Sequence, residues 1–275
     1  MTPRLVALDI DGTLVHFDGT AHPAVVDAVA AVQRQGVHVV LSTGRSVFGI
    51  TPVIDEFALA DGYAVASNGA VTFTYSPPEV RTTITFDPEP AVRAVLDRVP
   101  GALIAVEVIG RGYRANRHFP VGEINGELWL ETVDELVSEP VTRVIIRHPE
   151  SSVEDFVALA SELGLHGTNY YVGYTAWLDL APEGVSKASA LADVTAELGV
   201  AQADVLAIGD GRNDLEMLEW AGRGVAMGQA PDVVKAVADD VTASWEEDGV
   251  VAELGRWFDL EVAATDRADR TSYPA

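Results

Sequence analysis

The 275-residue chain contains no cysteine. Disulfides, thiolate metal sites and cysteine nucleophiles are therefore excluded, and a cytoplasmic location is the expectation. Lysine is nearly as scarce: the chain has Lys187 and Lys235, and all its other basic side chains are Arg or His. Lys and Arg together number 18 against 42 Asp and Glu, a formal charge of −24. So acidic a chain lacks the cations that neutralise nucleic-acid phosphates. It also carries no basic patch for a membrane surface. Neither nucleic acid nor a membrane is an expected partner, and nothing in the pattern sets an oligomeric state. No apolar run approaches the roughly eighteen residues that cross a bilayer. The short apolar run that ends at Asp9 comes too early and is too brief for a signal peptide. An anionic substrate must then be drawn in by a local positive site against the global field.

What is present is an interrupted α/β pattern. Leu5–Leu8, Val37–Leu41 and Tyr63–Ala66 are short continuous apolar runs, as expected of parallel strands buried on both faces. Between them, Pro23–Gln35 carries Val25, Val26, Val29 and Val32 at helical spacing, and Ser46–Leu59 is a second helix disturbed by Gly49 and Pro52. The character changes near Ser76-Pro77-Pro78. Arg81–Phe86 alternates as a strand, Glu89–Val99 is helical, and Ala102–Val108, Gly112–Ala115 and Val141–Arg147 are strands. A helix over Val153–Leu163 and strands over Tyr170–Tyr174 and Trp177–Leu180 follow, while Asn116–Glu139 gives the weakest pattern. After Pro182 the buried-strand pattern returns, with Lys187–Leu198, Asn213–Ala221, Pro231–Ala238 and Val250–Phe258 helical and Val205–Ile208 and Gly224–Met227 as strands. The expectation is an α/β, Rossmann-like parallel-sheet core with an inserted α+β domain. Residues 1–80 and 182–262 form the core, 81–181 the insertion, and 263–275 a disordered tail. Hinges are expected near Pro77-Pro78 and Pro182.

Polar residues fall at the ends of the buried runs, where open parallel sheets bind ligands. Asp9-Ile10-Asp11-Gly12-Thr13-Leu14 follows the first strand. Alone it is also compatible with an acidic turn closed by Gly12, the lesser of the two readings. Two carboxylates so placed repel unless a cation or proton lies between them. Gly209-Asp210-Gly211-Arg212-Asn213-Asp214 repeats the arrangement after a later strand. There Asp214 could cap a helix, but Asp210 precedes it by too much. Carboxylates converging at one sheet edge, with no soft ligands available, suit a hard cation, magnesium rather than zinc. Ser42-Thr43-Gly44-Arg45 is either an ordinary helix-capping turn or a phosphate cradle at a helix start. Lys187 opens a helix, where its charge opposes the macrodipole and is better explained by an anionic partner. Gly209-x-Gly211 lacks the third glycine of a dinucleotide fingerprint. His16, His22, His118 and His166 show no ligand spacing and are expected in loops or at the surface. Tyr170, Tyr171, Tyr174 and Trp177 are expected in the core of the insertion.

Together, Asp-x-Asp-Gly-Thr-Leu, Ser-Thr-Gly-Arg, Lys187 and Gly-Asp-Gly-x-Asn-Asp resemble the four motifs of the haloacid dehalogenase superfamily, in order. The insertion between the second and third, flanked by Ser67-Asn68-Gly69-Ala70 and Gly184-Val185-Ser186-Lys187, resembles the Cof-type phosphatases with a type IIB cap. The resemblance implies an enzyme that hydrolyses small phosphorylated substrates with Mg2+. It implies that Asp9 attacks phosphorus and that Asp11 is general acid and base. Thr43, Gly44, Lys187 and Asn213 hold the phosphoryl group, with Asn68 near the substrate or merely in a turn. Asp9, Asp11 (through its carbonyl), Asp210 and Asp214 hold the metal. Arg212 stands where many relatives carry small polar residues, and the resemblance gives it no role. A phosphomutase using the same aspartyl phosphate is the alternative. A non-catalytic phospholigand binder is disfavoured because binding alone would not require Asp11. Dehalogenation is disfavoured because an alkyl halide needs neither the metal nor a proton for its leaving group.

Overall fold

A computed structural model describes residues 2–16, 19–152, 154, 155, 158, 168–172 and 177–260. The first half of the core runs β1 (Leu5–Leu8), α1 (Pro23–Arg34), β2 (His38–Ser42), α2 (Val47–Glu56), β3 (Tyr63–Ala66), β4 (Val71–Tyr75) and β5 (Pro78–Thr83). The inserted part contributes α3 (Glu89–Arg98), β6 (Leu103–Val108), β7 (Gly112–Ala115), β8 (Glu127–Leu130), α4 (Val133–Leu136), β9 (Val144–Arg147), β10 (Thr168–Val172) and β11 (Trp177–Pro182). The chain then returns through α5 (Lys187–Leu198), β12 (Val205–Gly209), α6 (Leu215–Trp220), β13 (Arg223–Ala226), α7 (Asp232–Lys235), β14 (Asp240–Val241) and α8 (Gly249–Leu254).

Two sheets result. The first has eight strands in the order β14-β13-β12-β1-β2-β3-β4-β5. It is parallel from β14 to β3 and antiparallel through β4 and β5. Successive side chains of a strand point to opposite faces, and both faces are covered. Val6 and Leu8 pack with Val29 of α1, Val53 of α2 and Leu254 of α8. Leu5 and Ala7 pack with Leu191 of α5, Met217 of α6 and Val234 of α7. Burial on both faces is why these strands read as unbroken apolar runs. The second sheet has six strands in the order β10-β11-β9-β6-β7-β8. One face packs on α3 and α4, with Ile104, Val106, Val144 and Leu178 against Val92, Val95 and Leu136. Its other face carries Glu107, Tyr113, Arg143 and Asp179, all largely buried.

The hinge expected at Pro77-Pro78 is overturned. Ser76 and Pro77 form the turn of the β4–β5 hairpin, and Pro78 begins β5 at the edge of the first sheet. An edge strand tolerates proline because its outward N–H needs no partner. The strand anticipated over Arg81–Phe86 therefore runs over Pro78–Thr83, within the first sheet. The crossing lies just beyond it: Ile84 still donates to the Ala70 carbonyl at 2.8 Å, while Phe86 already bridges Val141. The weakly patterned 116–139 stretch supplies β8 and α4, the latter opened by a capping box of Thr132 and Glu135. The helix anticipated from Asn213 begins as a 3-10 turn over Arg212–Asp214 and becomes α-helical at Leu215. Most of the Val153–Leu163 helix, Tyr174, His166 and the 263–275 tail lie outside the described residues, as do the side chains of Tyr170 and Tyr171. Trp177 packs edge-on to Phe119 with ring centroids 6.3 Å apart, as a residue of the inserted part's core. His16 and His22 flank Trp245, and His22 Nδ1 lies 2.8 Å from Asp248.

The central strands are buried on both faces, so packing fixes where their ends stand. Ile208, fully buried in β12, illustrates this: Ile208→Ala is expected to cost about 2–5 kcal/mol, read as a lowered urea midpoint at unchanged slope.

Candidate active site

The register of the first sheet places three turns side by side. β1 lies between β12 and β2, with Leu8 opposite both Ile208 and Leu41. The residues that follow, Asp9, Asp210 and Thr43, therefore emerge together at the carboxyl ends of adjacent parallel strands. Glycine makes the close approach possible. Gly12 has φ +81°, and a Cβ there would overlap the Asp210 carboxylate. A Cβ on Gly209 would overlap the Asp214 carboxylate in the same way. The first turn is further pinned by Gln229, which donates to the Gly12 carbonyl at 2.6 Å and accepts from the Trp245 N–H at 3.1 Å.

At the centre lies a buried ion cluster. Lys187 has no solvent exposure, and its Nζ donates to Asp9 Oδ1 at 2.7 Å and Asp214 Oδ1 at 2.6 Å. The other Asp214 oxygen accepts the backbone N–H groups of Asp210 at 3.0 Å and Gly211 at 2.8 Å. Carboxylate oxygens of Asp9, Asp210 and Asp214 all lie within 4.8 Å of one another. Burial, followed by the charges of Asp214, Asp210 and Asp11, pushes the Asp9 carboxyl well above the usual carboxylate range, against the pull of Lys187. Burial opposes the charge on Lys187, yet Asp214 and Asp9 push its ammonium above the ordinary lysine value. The helix start that presents Lys187 is fixed by Ser186 and Ser189, each side chain accepting the other's backbone N–H.

Beside the cluster, the turns after β2 and β3 are strapped together. Ser67 N–H donates to the Arg45 carbonyl at 2.8 Å, and Asn68 N–H to the Thr43 carbonyl at 3.0 Å. Asn213 Nδ2 donates to Asn68 Oδ1 at 2.9 Å. A Cβ on Gly44 would sit 3.1 Å from that same oxygen, so a larger residue there would press on the Asn68 side chain. Gly69, at φ +108°, packs against the Ser186 carbonyl, where a Cβ would overlap. The Asp11 carboxylate turns away from the cluster. Arg45 holds it with both forks, Nε to Oδ2 at 2.9 Å and Nη2 to Oδ1 at 2.6 Å, and is itself tied to the Gly49 carbonyl at 3.2 Å.

Of the residues singled out from the sequence, Asp9, Lys187, Asp210 and Asp214 meet directly, and Thr43, Gly44, Asn68 and Asn213 form the neighbouring turns. Asn213 contacts Asn68 and not Lys187. Arg45 was legible as part of a motif but had no assigned partner, since a side chain's direction from a turn cannot be read from spacing. Glu107, from the inserted part, was missed altogether: it receives a hydrogen bond from the Ser67 hydroxyl. A charged residue inside an otherwise apolar strand was its one available signal. Arg212 is exposed at the head of its turn.

A family model described as haloacid dehalogenase-like hydrolase matches residues 6–98 and 119–254. The chain is similar to the 5-amino-6-(5-phospho-D-ribitylamino)uracil phosphatase of Bacillus subtilis (strain 168), at 30% identity over 269 residues, covering 94% of this chain and 98% of that protein. It is likewise similar to the phosphoglycolate phosphatase of Natronomonas pharaonis, at 32% identity over 251 residues, covering 91% of this chain and 96% of the relative. A solved subclass IIB sugar phosphatase shares the fold, with a TM-score of 0.77 over 92% of this chain and 98% of that one at 23% identity. The shared fold takes in the inserted α+β part, called the cap below. The chain belongs to the haloacid dehalogenase-like hydrolases, a family in which these near-full-length relatives are phosphatases.

Proposed function

We propose that the protein is a magnesium-dependent phosphatase that hydrolyses small phosphorylated metabolites, sugar phosphates or similar, through a phosphorylated Asp9. The observation that carries this reading is the buried cluster of Asp9, Asp210 and Asp214 around Lys187. Three carboxylates face one ammonium, which leaves an excess equal to the charge of one divalent cation. The donors are all hard oxygens, as magnesium prefers. The residues therefore fit the ion: Asp9 and Asp210 would hold it with the backbone carbonyl of Asp11, while Asp214, both of whose oxygens are engaged, would support it. When bound, the ion neutralises charge on the phosphoryl oxygens and on Asp9.

The chain's own groups account for the rest. Lys187 fixes Asp9 through Oδ1 and offsets its charge, leaving Oδ2 to attack phosphorus. Thr43, the N–H groups of its turn and Lys187 would receive the equatorial oxygens, and Asn213, braced by Asn68, would complete the cradle. As the bond from Asp9 to phosphorus forms, the ester oxygen leaves and takes a proton from Asp11. For that role Asp11 must release at least one of its two Arg45 hydrogen bonds. The resulting Asp11 carboxylate then takes a proton from water, whose oxygen attacks phosphorus, freeing phosphate and regenerating Asp9. Positioning and charge neutralisation dominate such chemistry. Recognition of the group bearing the phosphate is assigned to the cap, whose closure excludes water.

Two outcomes are expected. Release of phosphate from an aryl phosphate should stop with excess chelator and return with added magnesium; undiminished turnover in chelator would remove the metal from the mechanism. Asp9→Asn should abolish turnover, because an amide cannot form the acyl phosphate. Asp11→Asn should slow it by about two to four orders of magnitude, and less where the leaving group needs little protonation. Wild-type rates for Asp9→Asn in a phosphate-release assay would show the nucleophile to be another residue.

A further inference from the structure

Glu107 lies on β6 of the cap, on the sheet face opposite α3 and α4, and is 6% exposed. Its partners come from both parts of the molecule. From the core, the Ser67 hydroxyl donates to Oε2 and the Val47 N–H to Oε1 at 3.4 Å. From the cap, the Thr142 hydroxyl donates to Oε2 at 3.3 Å. Tyr113, opposite Glu107 in the β6–β7 register, accepts from Arg143 Nη1 at 3.2 Å. Arg143 is held in turn by Asp179, at 2.8 and 2.9 Å. Burial pushes the Glu107 carboxyl up, and Ser67, Arg143, Val47 and Thr142 oppose that shift.

The two core segments that Glu107 touches are the turns of the assigned phosphate site. Val47 begins α2 directly after Thr43–Ser46. Ser67 precedes Asn68, and both have positive φ, 50° and 54°. Adjacent non-glycine residues in that region are unfavourable and persist only where surrounding contacts hold them. The bonds from Ser67 to Glu107 and Arg45, and from Asn68 to Thr43 and Asn213, are those contacts. A buried carboxylate is a costly means of fastening two surfaces, since an apolar contact of similar size does so without desolvating a charge. A charge is warranted where several donors on different segments must be held in one geometry.

We propose that Glu107 is a positioning residue for phosphate-ester hydrolysis: it docks the cap on the Thr43–Val47 and Ser67–Asn68 turns and holds both in their phosphate-binding shape. The inference rests on the assignment of those turns to the phosphate site. It makes Glu107 unlike other polar cap residues, whose loss should alter the ranking of metabolite esters but spare a small aryl phosphate.

The test uses the full chain with Glu107→Gln, Ser67→Ala and the double variant. Each single change should lower kcat/KM for an aryl phosphate and weaken competitive inhibition by inorganic phosphate about tenfold, the scale of one charge-assisted hydrogen bond. The double variant should be no worse than the poorer single one, because both remove the same link. A merely structural role would lower the unfolding midpoint and leave the phosphate inhibition constant unmoved, which overturns the inference, as do effects that multiply in the double variant. Should Glu107→Gln fail to fold, Ser67→Ala decides the matter: unchanged phosphate inhibition there overturns it. Thr43→Val separates the inference from its premise. If it leaves phosphate inhibition unmoved, the assigned site falls and the inference with it. A shift in Thr43→Val with none in Glu107→Gln sinks the inference alone.

Discussion

The buried ammonium of Lys187, shared between Asp9 and Asp214, is the contact on which the rest depends. Taking such charges out of water costs several kcal/mol per ion, and removing one partner strands the others. Everything around the contact serves to keep it paired. Gly12 and Gly209 let the Asp210 and Asp214 carboxylates approach, and the N–H groups of Asp210 and Gly211 absorb the second Asp214 oxygen. Lys187 and Asp9 are 178 positions apart, with the whole cap between them. The site therefore forms when both halves of the first sheet have joined along β1 and β12, and such distant pairings carry a high loop-closure cost.

The two leading aspartates are held in opposite ways, and the difference suits different tasks. Asp9 is buried and fixed by an ammonium at one oxygen, as the nucleophilic role proposed for it requires. Asp11 is partly exposed and gripped by the fork of Arg45, which suits the proton transfer proposed for it. Arg45 is followed by Ser46, the N-cap of α2, and by Val47, whose N–H donates to Glu107 of the cap at 3.4 Å. Asp11, the Ser67–Asn68 turn and the cap thus all meet one short segment of chain, Thr43–Val47.

The core was legible because its strands are buried on both faces and bounded by glycine or polar turns. β1, β3 and α5 fall where their apolar runs place them. The motif residues were legible for a related reason: parallel strands bring their carboxyl ends together whatever lies between them in sequence. Pro77-Pro78 misled because two prolines signal a break, whereas here they serve a hairpin turn and an edge strand. The 116–139 stretch was obscure because β8 and α4 have four residues each, too few for a period to emerge. Side-chain pairings such as Arg45 with Asp11, or Glu107 with Ser67, depend on rotamers and on how cap meets core, and strand or helix periodicity carries neither.

The scarcity of lysine has a consequence for how the molecule can be followed. Of the two lysine side chains, Lys235 is partly exposed and Lys187 is sealed and ionised between carboxylates. Amine-directed acylating reagents need an accessible, deprotonated nitrogen. Modification of Lys187 by such a reagent thus reports the moment at which the buried ion cluster comes apart, against a background of essentially one other side-chain amine.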